Sequence, residues 1–231
     1  MSDPAPGRSV ESRGGGPEEA GGRDTRSRLV EAAARLFARD GFRRVTVREI
    51  CGEADANVAS VSYYFGDKLG LYREVVRGAI ERIQGADPTI EAPAGSSAEA
   101  RVRHYVRTFL PRLARPAGPA VWMQRIMGHE MQEPTPLAPW IAERVVLPRV
   151  RYLADAVAEL LGCEPEDPRV RRCVISLQAQ CLFYMPNRFR REALPGWREP
   201  SDEELARVAE HVAAFSLAGI RHLARRGEAD G

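Results

Sequence analysis

An all-α fold is what the sequence predicts, and three observations predict it. Apolar residues recur at the three-and-four spacing of amphipathic helices along most of the chain. No series of alternating apolar and polar residues marks out strands. Ser, Thr, Asp or Asn heads several of the periodic segments, and Gly or Pro lies near many of their ends, where helices start and stop.

The elements follow in order. Residues 1–22 are polar and rich in Gly, Pro, Ser and Glu, without the apolar stretch of a secretory signal, so a disordered tail is expected there. A first helix is predicted over residues 24–40, with Leu29, Ala33, Leu36 and Phe37 on one face and Gly41 as its left-handed cap. Thr46 and Glu49 form a capping box that opens a short second helix, with Val45 and Ile50 as its staple. Ala54, Asp55 and Ala56 leave room only for a tight turn. Asn57 then caps a third helix, Val58 to Tyr64, which Gly66 ends. Asp67 caps a long fourth helix carrying Leu71, Val75, Val76, Ala79, Ile80 and Ile83 to about residue 84.

Residues 87–97 are rich in Pro, Gly, Ala and Ser and read as a loop. A capping box from Ser96 to Glu99 opens a helix with Val102, Val106, Phe109 and Leu113 on one face. A helix from Gly118 to about Gln132 follows, then a longer helical stretch over residues 137–161, which Pro148 should kink or split. Asp167 and Pro168 start the next helix, apolar nearly all round from Cys173 to Met185 and so expected to be buried on most sides. The last helix begins at a capping box of Ser201 and Glu204 and carries a wide apolar face from Leu205 to Leu223.

Composition excludes more than it assigns. With 44% hydrophobic and 29% charged residues the chain is ordinary for a globular protein. A net charge of +2 means that any nucleic-acid surface must be local. No apolar run reaches the roughly 18 residues of a membrane span, so a cytoplasmic protein is expected. Cys51, Cys163, Cys173 and Cys181 lack metal or disulfide spacing and read as ordinary thiols. His129 and Glu133 are four apart on a helix, but the set of metal ligands is incomplete, and a polar helix end before Pro134 explains them. No nucleophile elbow, phosphate-binding Gly loop or dinucleotide fingerprint is present, so neither catalysis nor a cofactor is expected.

Two short capped helices joined by a tight turn, with a helix on each side, meet the needs of a helix-turn-helix. The bland alternative is a helical hairpin whose tyrosines are half-buried core. Beyond this pattern, the segment from Arg26 to Tyr72 resembles the DNA-binding domain of the TetR family, with Ala32, Ala33, Leu36, Phe37, Gly41, Thr46, Ile50, Ala54, Tyr63, Phe65, Lys68 and Leu71 in order. The run from Ala56 to Phe65 resembles the CecR-type branch, and the segment from His129 to Thr135 is similar to a Glu-then-Pro-Thr segment of that branch. Asp55 stands in place of a usual Gly, Tyr64 of a His, Cys51 of an Ala, and Leu69 of an acidic residue.

The resemblance implies an N-terminal three-helix helix-turn-helix domain (residues 23–66) joined by a long helix to a helical ligand-binding and dimerisation domain (67–226), with a short tail at 227–231. It implies a homodimeric repressor that binds a palindrome-like operator in double-stranded DNA and is released by a small-molecule effector. Thr46, Tyr63 and Lys68 are its phosphate-contact candidates, and Arg48, Asn57, Ser60 and Ser62 its base-reading candidates. Tyr64 can also offer a hydroxyl to phosphate. Trp122, Met123, Met127, Tyr152, Gln178 and Tyr184 are the candidates for an effector pocket, offering adaptable apolar walls with a few polar groups. A DNA-binding regulator controlled by a protein partner, or a small-molecule binder without DNA function, remain the competing readings.

Overall fold

The computed structural model describes residues 17–86 and 90–229, and among these every regular element is helical. Helix α1 (Pro17–Arg44) starts earlier than the sequence suggests, so only residues 1–16 of the expected tail lie outside the described residues. Gly41 has the positive φ expected of a cap, 80°, where an L side chain would be strained, but it kinks α1 rather than ending it, and the helix runs on to Arg44. Helices α2 (Val47–Glu53), α3 (Val58–Phe65) and α4 (Lys68–Ala86) follow. Then come α5 (Ala98–Ala114), α6 (Pro119–Gln132) and α7 (Ala138–Ile141).

A π-helical turn (Ala142–Val146) joins α7 to α8 (Leu147–Leu161). Pro148 has no N–H to give to the ladder, and the predicted split of this stretch takes that form. Helices α9 (Pro168–Leu182), α10 (Arg188–Ala193) and α11 (Asp202–Ala229) complete the chain. α10 has no counterpart in the sequence reading. The cap of α5 is Ser97, which accepts from Ala100 N, rather than Ser96, whose hydroxyl donates to Pro93 O.

Two cores divide the molecule. The first gathers Leu29, Phe37, Ile50, Val61, Leu71 and Val76 from α1–α4 and adds Met123 and Ile126 from α6 and Ile141 from α7. The second gathers Tyr105, Leu110, Leu153, Val174, Leu177 and Leu217 from α5, α8, α9 and α11. The packing therefore groups α4, α6 and α7 with the three N-terminal helices, on the other side of the boundary drawn at 66/67. The cause is α6, which lies against both α1 and α4.

The joint between α4 and α6 is polar at its centre. Glu130 is buried and accepts from Tyr72 Oη at 2.7 Å, from Thr135 N at 2.9 Å and from Thr135 Oγ1 at 2.7 Å. Burial, and the carboxylate beside it, push the Tyr72 hydroxyl far above its ordinary pKa, so it stays a donor. Tyr72→Phe removes one charge-assisted bond from a buried carboxylate, and urea melts should show a loss of about 2 kcal/mol. An unchanged midpoint would mean that this bond holds nothing together.

Close packing of α3 on α4 depends on Gly70. A Cβ there would lie 2.0 Å from Phe65 O, a backbone atom that cannot swing aside. Gly→Ala inside a helix ordinarily stabilises by about 1 kcal/mol. Here the clash reverses the sign, and Gly70→Ala should lower stability by about 1–3 kcal/mol in the same melts. A stabilised Gly70→Ala protein would contradict this contact.

Candidate nucleic-acid interface

The geometry around α3 follows from its caps. Thr46 Oγ1 accepts from Glu49 N at 3.2 Å, and the Glu49 carboxylate accepts from Thr46 N at 2.7 Å and Thr46 Oγ1 at 2.8 Å. These bonds hold the Glu49 carboxyl below its ordinary pKa. After α2 the chain turns at Asp55, whose φ of 48° is left-handed, and Ala56 N donates back to Cys51 O at 3.0 Å. Asp tolerates this conformation better than most residues, which is why the turn survives without Gly. Asn57 Oδ1 then accepts from Ala59 N at 2.9 Å and starts α3.

Only one face of α3 is anchored. Val61 points into the first core, whereas Val58, Ala59, Ser62 and Tyr63 are exposed. Tyr63 is 82% exposed, which rules out the reading of this tyrosine as half-buried core. Tyr64 is half-buried and meets Tyr63 edge-on with ring centroids 4.8 Å apart, so it supports Tyr63 from behind. Behind α3, the Arg26 guanidinium sits 5.4 Å over the Phe65 ring and pairs with Glu74 at 2.5 Å. These contacts fix the end of α3 against α1 and α4.

The other sequence candidates fall into two groups. Arg48, Asn57 and Ser62 are exposed, and Ser60 is half-exposed, so these four surround Tyr63 on α2 and α3. Arg48 makes no ion pair or hydrogen bond among the described residues. Arg44, which the sequence reading passed over, is likewise exposed and unpaired there. Its signal was present as the second of two arginines, two positions before the α2 cap.

Thr46 and Lys68 are differently placed from what phosphate contact asks. The Thr46 hydroxyl already donates to Glu49, so its role is to start α2. Lys68 Nζ donates to Phe42 O and Val45 O, both at 2.9 Å, and lies 4.3 Å over the Phe42 ring. Burial lowers its pKa. Lys68 thus braces the first turn of α4 against the end of α1 and the residue after it, with one N–H left over for any further partner.

The six residues predicted to line one pocket are not brought together. Met123 is buried in the first core, with Trp122 and Met127 packed against it. Tyr152 and Tyr184 pack against the second, and Gln178 donates to Tyr105 Oη at 3.3 Å. The separation arises because α6 runs with α1 and α4 and not with α8 and α9. Tyr152 Oη instead accepts from Ala92 N at 2.8 Å, and Tyr184 joins an aromatic group with Phe183 and Trp197. A cleft of about 170 Å³ opens beside Gly41, His129 and Glu130, and an open groove of about 500 Å³ runs beside Ser96, Arg103 and Arg107. Neither is lined by any of the six.

The apolar surface of α9 and α11 is wider than their packing uses. Ile175 is 59% and Phe215 65% exposed, and Leu182, Phe183 and Leu223 are exposed beside them. The expectation that α9 is buried on most sides is therefore corrected for the single protomer. α5, α8 and α11 cover only part of it. Gln180 Nε2 donates to Ser216 Oγ at 3.1 Å and ties the two helices together next to this strip. Among the described residues no helix is long and apolar enough to cross a membrane.

Comparison with known proteins gives consistent matches. Residues 29–75 match the family model described as bacterial regulatory proteins, tetR family. Residues 98–220 match that of the HTH-type transcriptional dual regulator CecR, C-terminal domain. The chain is similar to the probable HTH-type transcriptional regulator YttP of Bacillus subtilis, 40% identical over 72 residues. That match covers 31% of this chain and 33% of the relative, so the chain spans about a third of that protein. It is also similar to the HTH-type transcriptional dual regulator CecR of Shigella flexneri, 25% identical over 159 residues, covering 64% of this chain and 70% of that one. Among solved structures, AibR in complex with isovaleryl coenzyme A and operator DNA has the same fold, with a TM-score of 0.58 and 16% identity. The match covers 83% of this chain and 97% of that one.

Proposed function

Because the chain belongs to the TetR family of bacterial regulators, with a C-terminal domain of the CecR type, we propose that it is a homodimeric, sequence-specific DNA-binding transcriptional regulator released from its operator by a small molecule. The observation that carries this reading is α3, a helix anchored by Val61 whose opposite face is small, polar and open around Tyr63. A small-residue face lets the backbone approach the major groove. Tyr63 offers a hydroxyl and Arg48 an unpaired guanidinium, both suited to phosphate or guanine edges. Asn57 keeps its amide donors free while its oxygen caps α3. In this reading Lys68 acts by positioning α3 and α4, and Thr46 by starting α2.

The exposed strip on α9 and α11 supports a second copy as the partner. A two-fold axis there makes the same residues meet their own counterparts, and burying such a strip is favourable. Effector control has a mechanical basis in α7, the π-helical turn and α8. This rod is embedded at Ile141 in the core that carries α3 and at Leu153 in the other core. A ligand that favours one seating of α8 would tilt α7 and α6, and with them α4. It acts only through unequal affinity for the two seatings.

The test is selection of bound fragments from the source genome with the purified protein, followed by titration. A regulator retains a small set of related fragments far more tightly than bulk DNA, by the roughly 10³-fold or more typical of specific binding. Equal retention of all fragments would leave a small-molecule binder without DNA function as the better reading.

A further inference from the structure

Between α9 and α11 lies a buried arginine whose guanidinium has no acceptor along one whole edge. Arg190 of α10 is only 5% exposed. Its Nε and Nη2 are both sealed from solvent, and no group among the described residues accepts from either. These two N–H groups lie side by side on the planar guanidinium, on an edge that can grip a carboxylate with two parallel bonds. A third sealed donor without an acceptor, Trp197 Nε1, belongs to the ring that the guanidinium covers at 4.3 Å.

Buried donors without acceptors are rare in folded proteins, and a buried cation is costly unless an anion meets it. The residues around Arg190 supply only part of what it needs. Its guanidinium also lies 5.3 Å over the ring of Phe183, the residue just after α9. Phe183, Tyr184 and Trp197 form one aromatic group, with ring centroids 5.9 to 6.1 Å apart. Ring faces attract the positive charge but leave the N–H groups in its own plane unserved. Phe183 is 53% exposed, so the guanidinium lies one side chain below solvent.

We propose that Arg190 and Trp197 form a binding site for a small carboxylic acid. The two oxygens of the acid take the Nε–Nη2 fork, and the Trp197 N–H donates to one of them. An aromatic or aliphatic body lies against Phe183 and Tyr184. Rotation of the exposed Phe183 ring opens the way in. The inference goes beyond the regulatory reading, because binding here requires neither DNA nor a second copy. A bound acid fastens the end of α9 to the residues that lead into α11, since Phe183 and Trp197 stand at the two ends of that connection.

The experiment follows the indole N–H signals of the full-length protein, isotope-labelled in tryptophan. The chain has three tryptophans, and Trp197→Phe identifies the signal of interest. Acetate, which is little more than the carboxylate, is titrated first. Benzoate and octanoate follow, and each acid is matched by its primary amide. The acids should move the Trp197 signal to lower field, as an N–H moves on gaining a charged acceptor, and should raise the Tm. The amides should do neither at the same concentration. Arg190→Lys keeps a cation near the rings and loses the planar fork, and it should weaken acid binding about tenfold or more. Trp197→Phe keeps a ring and loses the donor, and calorimetry should show acids bound several-fold more weakly.

A Trp197 signal that none of the three acids moves would overturn the proposal and leave solvent as the partner of the fork. So would amides that bind as well as the acids, or acid affinity that is equal in wild type and Arg190→Lys. If Arg190→Lys fails to fold, Trp197→Phe decides alone, and wild-type acid affinity in that protein removes the site.

Discussion

Phe215→Glu is expected to split the protein into monomers and to remove operator binding. Phe215 is 65% exposed on α11, within an apolar strip that includes Ile175 of α9 and Phe183 just after its end. Ala218 and Gly219 are exposed one turn further along α11 and let a second helix approach closely. Glu at position 215 would place carboxylates on both sides of the two-fold axis, in a surface that must lose its water. Sedimentation at micromolar concentration should change from twice the chain mass to the chain mass. Binding to a two-half-site fragment should fall by about 10²–10⁴, because the second half-site is no longer tethered to the first. Circular dichroism should be unchanged, since Phe215 makes no core contact. An intact dimer would place the interface elsewhere.

The second large effect concerns the reading face. Tyr63→Ala and Arg48→Ala should each weaken specific binding by about 1–3 kcal/mol per protomer, so a symmetric dimer loses the contact twice. Both proteins should keep wild-type helical content and Tm, because Tyr63 is 82% exposed and Arg48 is exposed without a partner among the described residues. If Arg48 meets phosphate, its loss flattens the salt dependence. If it meets a base edge, its loss relaxes the preference at one position. Lys68→Ala should differ from both by losing stability, since two backbone carbonyls lose their partner. Wild-type affinity in both the Tyr63→Ala and the Arg48→Ala protein would remove α3 as the reading head.

Much of the architecture was legible because it is written locally. The Thr46–Glu49 box, the Asp55 turn, the Asn57 cap and the positive φ of Gly41 each depend on residues within a few positions, and all appear where the sequence puts them, although Gly41 bends α1 instead of ending it. What failed was tertiary. Lys68 meets Phe42 and Val45, 26 and 23 residues away, and no local pattern announces those bonds. The six-residue pocket failed because amphipathic periodicity says which face of α6 is buried and nothing about which helices bury it.

The most direct test of the account is a hydroxyl-radical footprint of the wild-type protein on a genome-selected fragment. Two protected windows on one face of the DNA are expected. Their centres should lie one helical turn, about 34–36 Å, or a multiple of it apart, with sequences related by a two-fold axis. The Tyr63→Ala protein should lose both windows together. A single window, or uniform weak protection along the fragment, would contradict a dimer that reads DNA with a pair of α3 helices.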